Sequence, residues 1–239
     1  MRMVLLEKRI IGNNPLLISI SLVLVFILIS FLGGDLINFS VLGFEVIFPF
    51  YAAISVGEWG KFKSDANYDI IASQSRSIFG WVFNRFLTIF GLISSFAVVG
   101  ILFTSLIRGE MPWGEMVLMY FPPALFLSSL ALLCSLVFST EHIATMICGT
   151  VWLLAMLLRS LLRFKYVEYV YLFIRFAGDQ NGIWMFNKMI LLLLSIILWG
   201  AIYWLRQKKH LHPHRKHPHR KKNRSVVWRV LTPVRPINT

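Results

Sequence analysis

The chain of 239 residues is 57% hydrophobic and only 15% charged. An ordinary soluble domain carries about 25% charged residues, so these values exclude that class and predict a helical membrane protein. The formal net charge of +13 is unevenly placed, because 11 of the 24 Lys and Arg lie in residues 206–239, which contain no Asp or Glu. The basicity therefore belongs to a tail and not to the apolar body.

Six apolar segments are candidates for membrane-spanning helices. Such a helix needs about 20 apolar residues to cross roughly 30 Å of hydrocarbon. The predicted spans are Pro15–Leu32, Leu36–Gly57, Phe86–Ile107, Met116–Thr140, Ile143–Leu158 and Met189–Leu205. The helix of the third span can extend back to Ile78, and Pro122-Pro123 predicts a kink or local unwinding in the fourth. Together the six spans predict one transmembrane domain, residues 15–205.

The two ends of the chain differ from this body. Residues 1–14 mix charged and apolar positions at helical spacing, which predicts an amphipathic elbow helix on the membrane surface. Residues 206–239 hold five of the six His, together with interleaved Pro, and predict a basic, disordered tail. We expect this tail to lie on anionic lipids, with transition-metal binding as the alternative. Nucleic acid is not an expected partner, since a tail tethered at the bilayer meets lipid first.

The distribution of Lys and Arg predicts the orientation. Basic residues before the first span, between the second and third, and after the sixth all fall on one side, which is predicted to be cytoplasmic and to hold both termini. These residues are Arg2, Lys8, Arg9, Lys61, Lys63, Arg76 and the basic tail. Four basic residues oppose the assignment: Arg159, Arg163, Lys165 and Arg175.

Within residues 164–188, the stretch FKYVEYVYLFIRF at 164–176 is aromatic and apolar but too short to span the membrane. Rings such as Tyr169 and Phe173 suit the membrane interface, where an amphipathic ring has one wet and one dry side. The segment predicts a re-entrant or interfacial helical hairpin on the outer side. A loop lying on lipid headgroups is an equal alternative.

A polar insert, residues 58–77, interrupts the apolar chain between the second and third spans. Ser64-Asp65 fits the N-cap of a short helix. In that helix Tyr68, Ile70 and Ile71 are apolar and Asp69 is exposed, and Ser75-Arg76 ends it. The insert is therefore predicted to be a short cytoplasmic amphipathic helix, attached at both ends to membrane spans and able to transmit force between them.

The insert resembles a known family. The pattern of Glu58, Tyr68-Asp69-Ile70-Ile71, Ser75-Arg76 and Arg85 is similar to that of the membrane subunits of ABC-2 type ABC transporters, particularly short bacterial permeases that pair with a separate ATPase. The six spans, the elbow helix and the hairpin agree, so the resemblance covers residues 1–206. Two departures are that many members have Pro near Gln74 and that Lys is commoner than Arg at position 85.

The resemblance implies an ABC-2 type fold in a bacterial plasma membrane and a coupling helix that docks on the ATPase. The residues implied in coupling are Glu58, Ser64, Asp65, Tyr68, Asp69, Ile70, Ile71, Ser75, Arg76 and Arg85. Implied partners are ABC ATPase subunits, a second permease subunit that is identical or different, membrane lipids, and a peptide or other amphiphilic substrate for export. ATP and Mg²⁺ would be bound by the partner subunit, with no cofactor in this chain.

No catalytic or metal motif is found in the sequence. It lacks G-x-x-x-x-G-K-[ST], H-E-x-x-H and G-x-S-x-G, so ATP hydrolysis is expected in another polypeptide. Glu45 is a costly charge inside a span and indicates a substrate pathway or an internal partner; with Tyr169 and Phe173 it is a candidate substrate contact. Equal alternatives are that Glu45 is protonated or that it lies close enough to the outer surface to be hydrated. Glu141-His142 predicts a polar turn, since a zinc site takes three or four ligands. The alternative functions are an intramembrane protease and a non-transporting immunity or anchor protein.

Overall fold

The computed structural model describes residues 14–32, 42–59, 78–108, 113–138, 142–158, 167, 169–173 and 183–211. Within these ranges the chain is all-helical, with no strand. The elements in chain order are α1 (Asn14–Leu32), a π-helical segment (Gly43–Ile47) that continues into α2 (Phe48–Trp59), α3 (Ile78–Arg108), α4 (Trp113–Val137), α5 (Ile143–Leu157) and α6 (Ile183–Leu211).

Four of these helices are long and apolar enough to cross a membrane. The spanning windows lie in α1, α3, α4 and α6: Asn14–Leu32, Phe79–Ile107, Trp113–Val137 and Trp184–Leu205. The π segment with α2 covers residues 43–59, and α5 has 15 residues, so both fall short of about 20 residues. For the described residues, the predictions of helical structure and of several helices long and apolar enough to span a membrane are confirmed, while six spans and the ABC-2 fold stay predictions.

Several helices begin or end away from the predicted span limits. α6 begins at Ile183 instead of Met189 and continues to Leu211, whereas α3 begins at Ile78, the earlier start predicted for it. Hydropathy reports where apolar side chains are concentrated, whereas a helix ends where its backbone hydrogen bonds end. The polar pair Asn187 and Lys188 therefore ends the apolar run without ending the helix.

α4 forms the centre of the bundle. It packs against α2, α3, α5 and α6, while α1 packs mainly against α3. In α4, 61% of the spanning window is buried, compared with 28% in α1 and 22% in α6. α4 is therefore a core helix, and α1 and α6 turn most of their apolar side chains outward, as helices in contact with lipid do.

The core between α1, α2 and α4 is built from stacked and edge-on aromatic rings. Phe44 lies with its ring centroid 5.1 Å from Phe26 and 5.7 Å from Phe48, and Phe48 lies 6.1 Å from Tyr120. Gly43 gives space to this cluster, because a Cβ there would lie 2.3 Å from the Phe26 ring. The ring contacts hold the π segment against α1, and glycine at position 43 leaves the space that the Phe26 ring occupies.

The two prolines of α4 do not unwind it. α4 remains α-helical through Pro122 and Pro123, both of which are buried. Because proline has no backbone N–H, the carbonyls of Leu118 and Met119 have no i+4 amide donor in this helix. The predicted local unwinding is wrong, and packing on four neighbouring helices offsets the lost hydrogen bonds.

Many hydroxyl groups in the helices bond to their own backbone. Six Ser and Thr side chains donate to the carbonyl four residues earlier, at 2.7–2.9 Å: Ser19, Ser30, Thr88, Ser95, Thr150 and Ser195. This back-bonding satisfies a hydroxyl without a second helix. These residues are therefore compatible with an apolar bundle and do not by themselves mark a polar route through it.

Candidate functional site

A π-helical turn precedes α2 and carries a buried acid. The π segment Gly43–Ile47 includes Glu45, whose side chain is only 1% exposed. Single π turns are rare and occur often at functional positions, because the extra residue changes the direction of the side chains around it. The turn and the buried charge in it make this segment the starting point of the candidate site.

The partner of Glu45 is a lysine on the last helix. Lys188 Nζ lies 3.0 Å from Glu45 Oε1, and the Lys188 side chain is 2% exposed. The same Nζ is 3.5 Å from the carbonyl oxygen of Leu172. Two charges removed from water stabilise each other only when they are close and further hydrogen-bonded, and this arrangement meets both conditions.

A short turn, residues 169–173, is packed against this ion pair. Asn187 Nδ2 donates to the Tyr171 carbonyl oxygen at 2.8 Å, and the Tyr171 hydroxyl donates to the Ala155 carbonyl oxygen on α5. The side chains of Tyr171, Leu172 and Phe173 are buried. The turn is thus attached by polar contacts to both α5 and α6, with its apolar residues directed into the bundle.

The π segment is also attached to α5. Trp152 Nε1 donates to the Val46 carbonyl oxygen at 3.0 Å, and the Trp152 ring stacks on Phe50 with centroids 4.7 Å apart. We call the five residues that make these contacts the buried polar cluster: Glu45, Trp152, Tyr171, Asn187 and Lys188. The cluster joins the π segment, α5, the turn 169–173 and α6 at one end of the bundle.

A second polar contact lies at the other end of α2, and we call it the Glu58 cluster. Glu58 Oε1 accepts a hydrogen bond from Thr145 Oγ1 at 2.8 Å and lies 3.0 Å from His142 Nδ1. The side chains of His142 and Glu58 are 65% and 28% exposed. His142 precedes α5 in the left-handed region, with φ of 64°, which orients its ring toward the end of α2.

α2 comes very close to its neighbours beside the Glu58 cluster. A Cβ on Gly57 would lie 3.3 Å from Cβ of Ala144 on α5 and 3.6 Å from Cβ of Ala131 on α4. Small residues at a helix crossing let backbones approach closely, which strengthens packing in an apolar bundle. The close approach brings Glu58 within reach of the first turn of α5.

Arg85, the implied coupling residue on α3, is buried at 5% exposure. Its guanidinium carbon lies 5.7 Å from the centroid of the Trp81 ring, within the range of a cation–π contact. The structure therefore places Arg85 in the bundle one turn after Trp81, near the start of the helix that follows the polar insert.

The remaining predicted site residues divide into two groups. Tyr169 is partly exposed in the turn, whereas Phe173 is completely buried in an apolar cluster with Leu127 and Leu191. Most of the implied coupling residues lie outside the described part of the chain: Ser64, Asp65, Tyr68, Asp69, Ile70, Ile71, Ser75 and Arg76. So do the elbow residues 1–13 and the tail beyond residue 211.

Sequence reasoning did not find the partners of Glu45. Lys188 and Asn187 were assigned to the end of a hairpin, because the apolar run of the last span begins after them. The available signal was the helical continuity of the sequence "IWMFNKMILLLL", which places Lys188 one turn inside a helix. A basic residue there and an acid inside another span are natural partners, since an intramembrane charge usually has one.

The described residues give no support for a metal site. Within them no group of three or more His, Cys, Asp or Glu could hold a metal ion. Cys134 and Cys148 are both buried and carry free thiols. Glu45 lies 3.0 Å from the ammonium group of Lys188, and this contact of the buried polar cluster joins the π segment to α6.

The class of protein follows from these observations. The described part of the chain is helical and includes four helices long and apolar enough to span a membrane, with a buried ion pair inside the bundle. Comparisons with protein-family models, with curated proteins and with solved structures found no match to this chain.

Proposed function

We propose that this chain is the membrane subunit of an ABC-2-like exporter in a bacterial plasma membrane. It would move a peptide or other amphiphile across or out of the membrane, using ATP hydrolysed by separate ATPase subunits. In this proposal the π segment together with α2 forms one further span and α5 forms another, so that the chain has six spans. Both termini are cytoplasmic. ATP and Mg²⁺ belong to the partner, since this chain has no P-loop.

The observation that carries the proposal is the attachment of α2 at both of its ends. α2 leads directly into the polar insert, and beside the insert Glu58 is bonded to Thr145 and His142 of the α5 end. At its other end the preceding π segment is bonded to α5 through Val46 and to α6 through Glu45. A displacement of the insert would therefore be conveyed along α2 to two other helices.

α3, on the other side of the insert, is also well anchored. Arg85 and Trp81 are buried near its start, and α3 packs against α1, α2 and α4. An insert held between two firmly packed helices can transmit force, whereas an insert joined to loosely packed helices would move alone. This supports a coupling role for residues 58–77, with residues 64–76 as the ATPase contact.

In the proposal a second permease subunit completes the transport route. α1 and α6 carry the largest outward apolar surfaces, with Leu28, Phe31, Leu193 and Ile197 among the exposed side chains. Such surfaces are covered by lipid or by a second copy in a membrane. The proposal assigns one of them to the partner permease and leaves the other to lipid.

Copurification from the native membrane tests the proposal. The full chain, carrying an affinity tag, is expected to copurify with an ABC ATPase. Replacing residues 64–72 with a Gly/Ser linker of the same length should abolish this association and leave the thermal unfolding of the chain in detergent unchanged. A matched control replaces nine residues of the tail, 212–220, and should retain the ATPase.

Two results would contradict the proposal. One is ATPase association that is unaffected by the linker in residues 64–72. The other is topology mapping that places Lys61–Arg76 on the external face, where a cytoplasmic ATPase could not reach the insert.

The alternative of an intramembrane protease is less well supported. An aspartyl-type enzyme needs two carboxylates that share a proton. The described contact of the buried acid Glu45 is with Lys188, which would hold it as a paired carboxylate. A fluorogenic peptide-cleavage assay with the purified chain is expected to show no activity above a vesicle control.

A further inference from the structure

The turn 169–173 closes one end of the bundle without being part of a regular helix. Its own backbone contacts are two turn hydrogen bonds, from the amides of Val170 and Tyr171 to the Val167 carbonyl oxygen. All its other described polar contacts are made by side chains or carbonyls with α5 and α6. The turn therefore keeps its place through contacts that can be broken without unfolding a helix.

Lys188 is the residue that connects this turn to the start of α2. Its ammonium group contacts both the Glu45 carboxylate and the Leu172 carbonyl oxygen. If Glu45 moves away, the Leu172 carbonyl oxygen at 3.5 Å is the remaining described contact of the Lys188 ammonium group. One such contact does not offset the cost of a charge in an apolar interior, so the ammonium group must be hydrated. The structure shows the closed arrangement, with the two charges together; an open arrangement would need both charges to be hydrated.

The π segment offers a defined way for Glu45 to move. A π turn contains one residue more than an α turn, and relaxing it to α-helix rotates the residues before it by about 100° relative to those after it. Such a rotation would carry the Glu45 carboxylate away from Lys188. The bond from Trp152 to the Val46 carbonyl oxygen holds the segment in its present π form.

We propose that the Glu45–Lys188 ion pair is a latch that keeps the turn 169–173 closed over this end of the bundle. Separation of the two charges, with relaxation of the π segment, releases the turn and admits water to the apolar residues beneath it. The latch is a property of this chain alone and does not rest on the proposed ATPase partner. It can therefore be tested, and can fail, independently of the proposed function.

Thiol labelling at position 172 tests the latch. Leu172→Cys places a reporter in the turn, where the native side chain is buried. The chain, with Cys134 and Cys148 replaced by Ala, is placed in nanodiscs so that a charged maleimide reaches both faces. In this parent the reporter should react slowly, and in the double variant Glu45→Gln, Lys188→Met it should react about tenfold faster or more, since a minor open state is populated at most about 10% before the change.

The variant Lys188→Arg is the matched control. It keeps a positive charge opposite Glu45 and N–H donors for the Leu172 carbonyl oxygen, and should keep the labelling of residue 172 at the slow rate of the parent. A second reporter, Ile93→Cys, lies in a fully buried position of α3 away from the turn and should stay unreactive in every variant.

Three results would overturn the latch. The first is equal labelling of residue 172 in the parent and in the double variant. The second is a Lys188→Arg variant that labels as fast as the double variant, which would show that the positive charge and its donors at position 188 are not what closes the turn. The third is a parallel rise at residue 93, which would show that the pair supports the whole bundle and not the turn.

Discussion

The two ends of α2 place the same side chain in opposite surroundings. Glu45, in the π segment before α2, is buried and paired with a buried lysine, whereas Glu58, in the last turn of α2, is partly exposed and contacts an exposed histidine. The two acids are thirteen residues apart, about 20 Å along a helix axis. The distance between oxygen and nitrogen is 3.0 Å in both pairs, so the contact geometry does not distinguish them.

Burial makes the two pairs differ in what they can do. A charge inside the bundle has no water to replace a lost partner, so Glu45 and Lys188 determine each other's position. A charge at the exposed end can exchange its partner for water at little cost, so Glu58 can change contacts as α2 moves. The comparison teaches that the Glu45 end of α2 is held by a charged partner that water cannot replace, whereas the Glu58 end, beside the polar insert, is held by contacts that water can replace.

The largest effect on stability is expected when Lys188, the buried partner of Glu45, is removed. Lys188→Met leaves Glu45 buried beside an apolar side chain, and we expect the free energy of unfolding in detergent to fall by about 3–5 kcal/mol. Neighbouring Met189 is exposed, and Met189→Ala should change the same quantity by less than about 0.5 kcal/mol. Equal effects at 188 and 189 would show that burial of the pair is not important.

A second change tests the packing that holds α2 at its exposed end. A single carbon added at Gly57 would already lie 3.3 Å from Cβ of Ala144. The larger, branched side chain of Gly57→Val should therefore overpack this site and lower the free energy of unfolding by about 1–3 kcal/mol. Gly200→Val is the matched control, since no atom lies within 4 Å of a Cβ there. If both valines have the same effect, the close approach of α2 to α4 and α5 does not contribute to stability.

Removal of one hydrogen bond from the buried end gives a finer comparison. Trp152→Phe retains an aromatic ring to stack on Phe50 but loses the donor to the Val46 carbonyl oxygen, and should cost about 0.5–1.5 kcal/mol. Exposed Trp113 provides the control Trp113→Phe, with an expected change near zero. If Trp152→Phe lowers stability no more than Trp113→Phe does, the hydrogen bond from Trp152 does not stabilise the π segment.

The smallest effect is expected at the exposed acid. Glu58→Gln removes the charge opposite His142 and retains an oxygen that can accept from Thr145, so the unfolding free energy should fall by about 0–1 kcal/mol. A loss as large as that of Lys188→Met would mean that the two ends of α2 are energetically alike.

The helical class and the approximate place of each helix could be predicted from the sequence, because uninterrupted apolar runs have few other solutions in a membrane. The start of α6 could not be placed by hydropathy, since Asn187 and Lys188 are polar and yet lie inside the helix. The π turn at Gly43–Ile47 could not be predicted from the local sequence, because its contacts with Phe26 and with Trp152 come from residues distant in the chain.

The candidate site was predictable only in part. Glu45 was recognised as a charge that needs an internal partner or a pathway, and the structure supplies the partner. Its identity depends on how α6 packs beside the π segment, which is tertiary information. Phe173 was expected at the membrane interface and is buried, because the turn directs it into an apolar cluster. The coupling residues 64–76 lie outside the described residues, so their assignment stays a prediction.

The separation of Glu45 and Lys188 by 143 residues has a consequence for biosynthesis. At about 5–20 residues per second, a ribosome would need roughly 7–30 s after making Glu45 to reach Lys188. During that interval the acid must wait without its counter-ion, in the wet insertion channel or beside a membrane chaperone. Nascent chains stalled before residue 188 should therefore be the species that such a chaperone retains, and release should follow within seconds of adding the lysine.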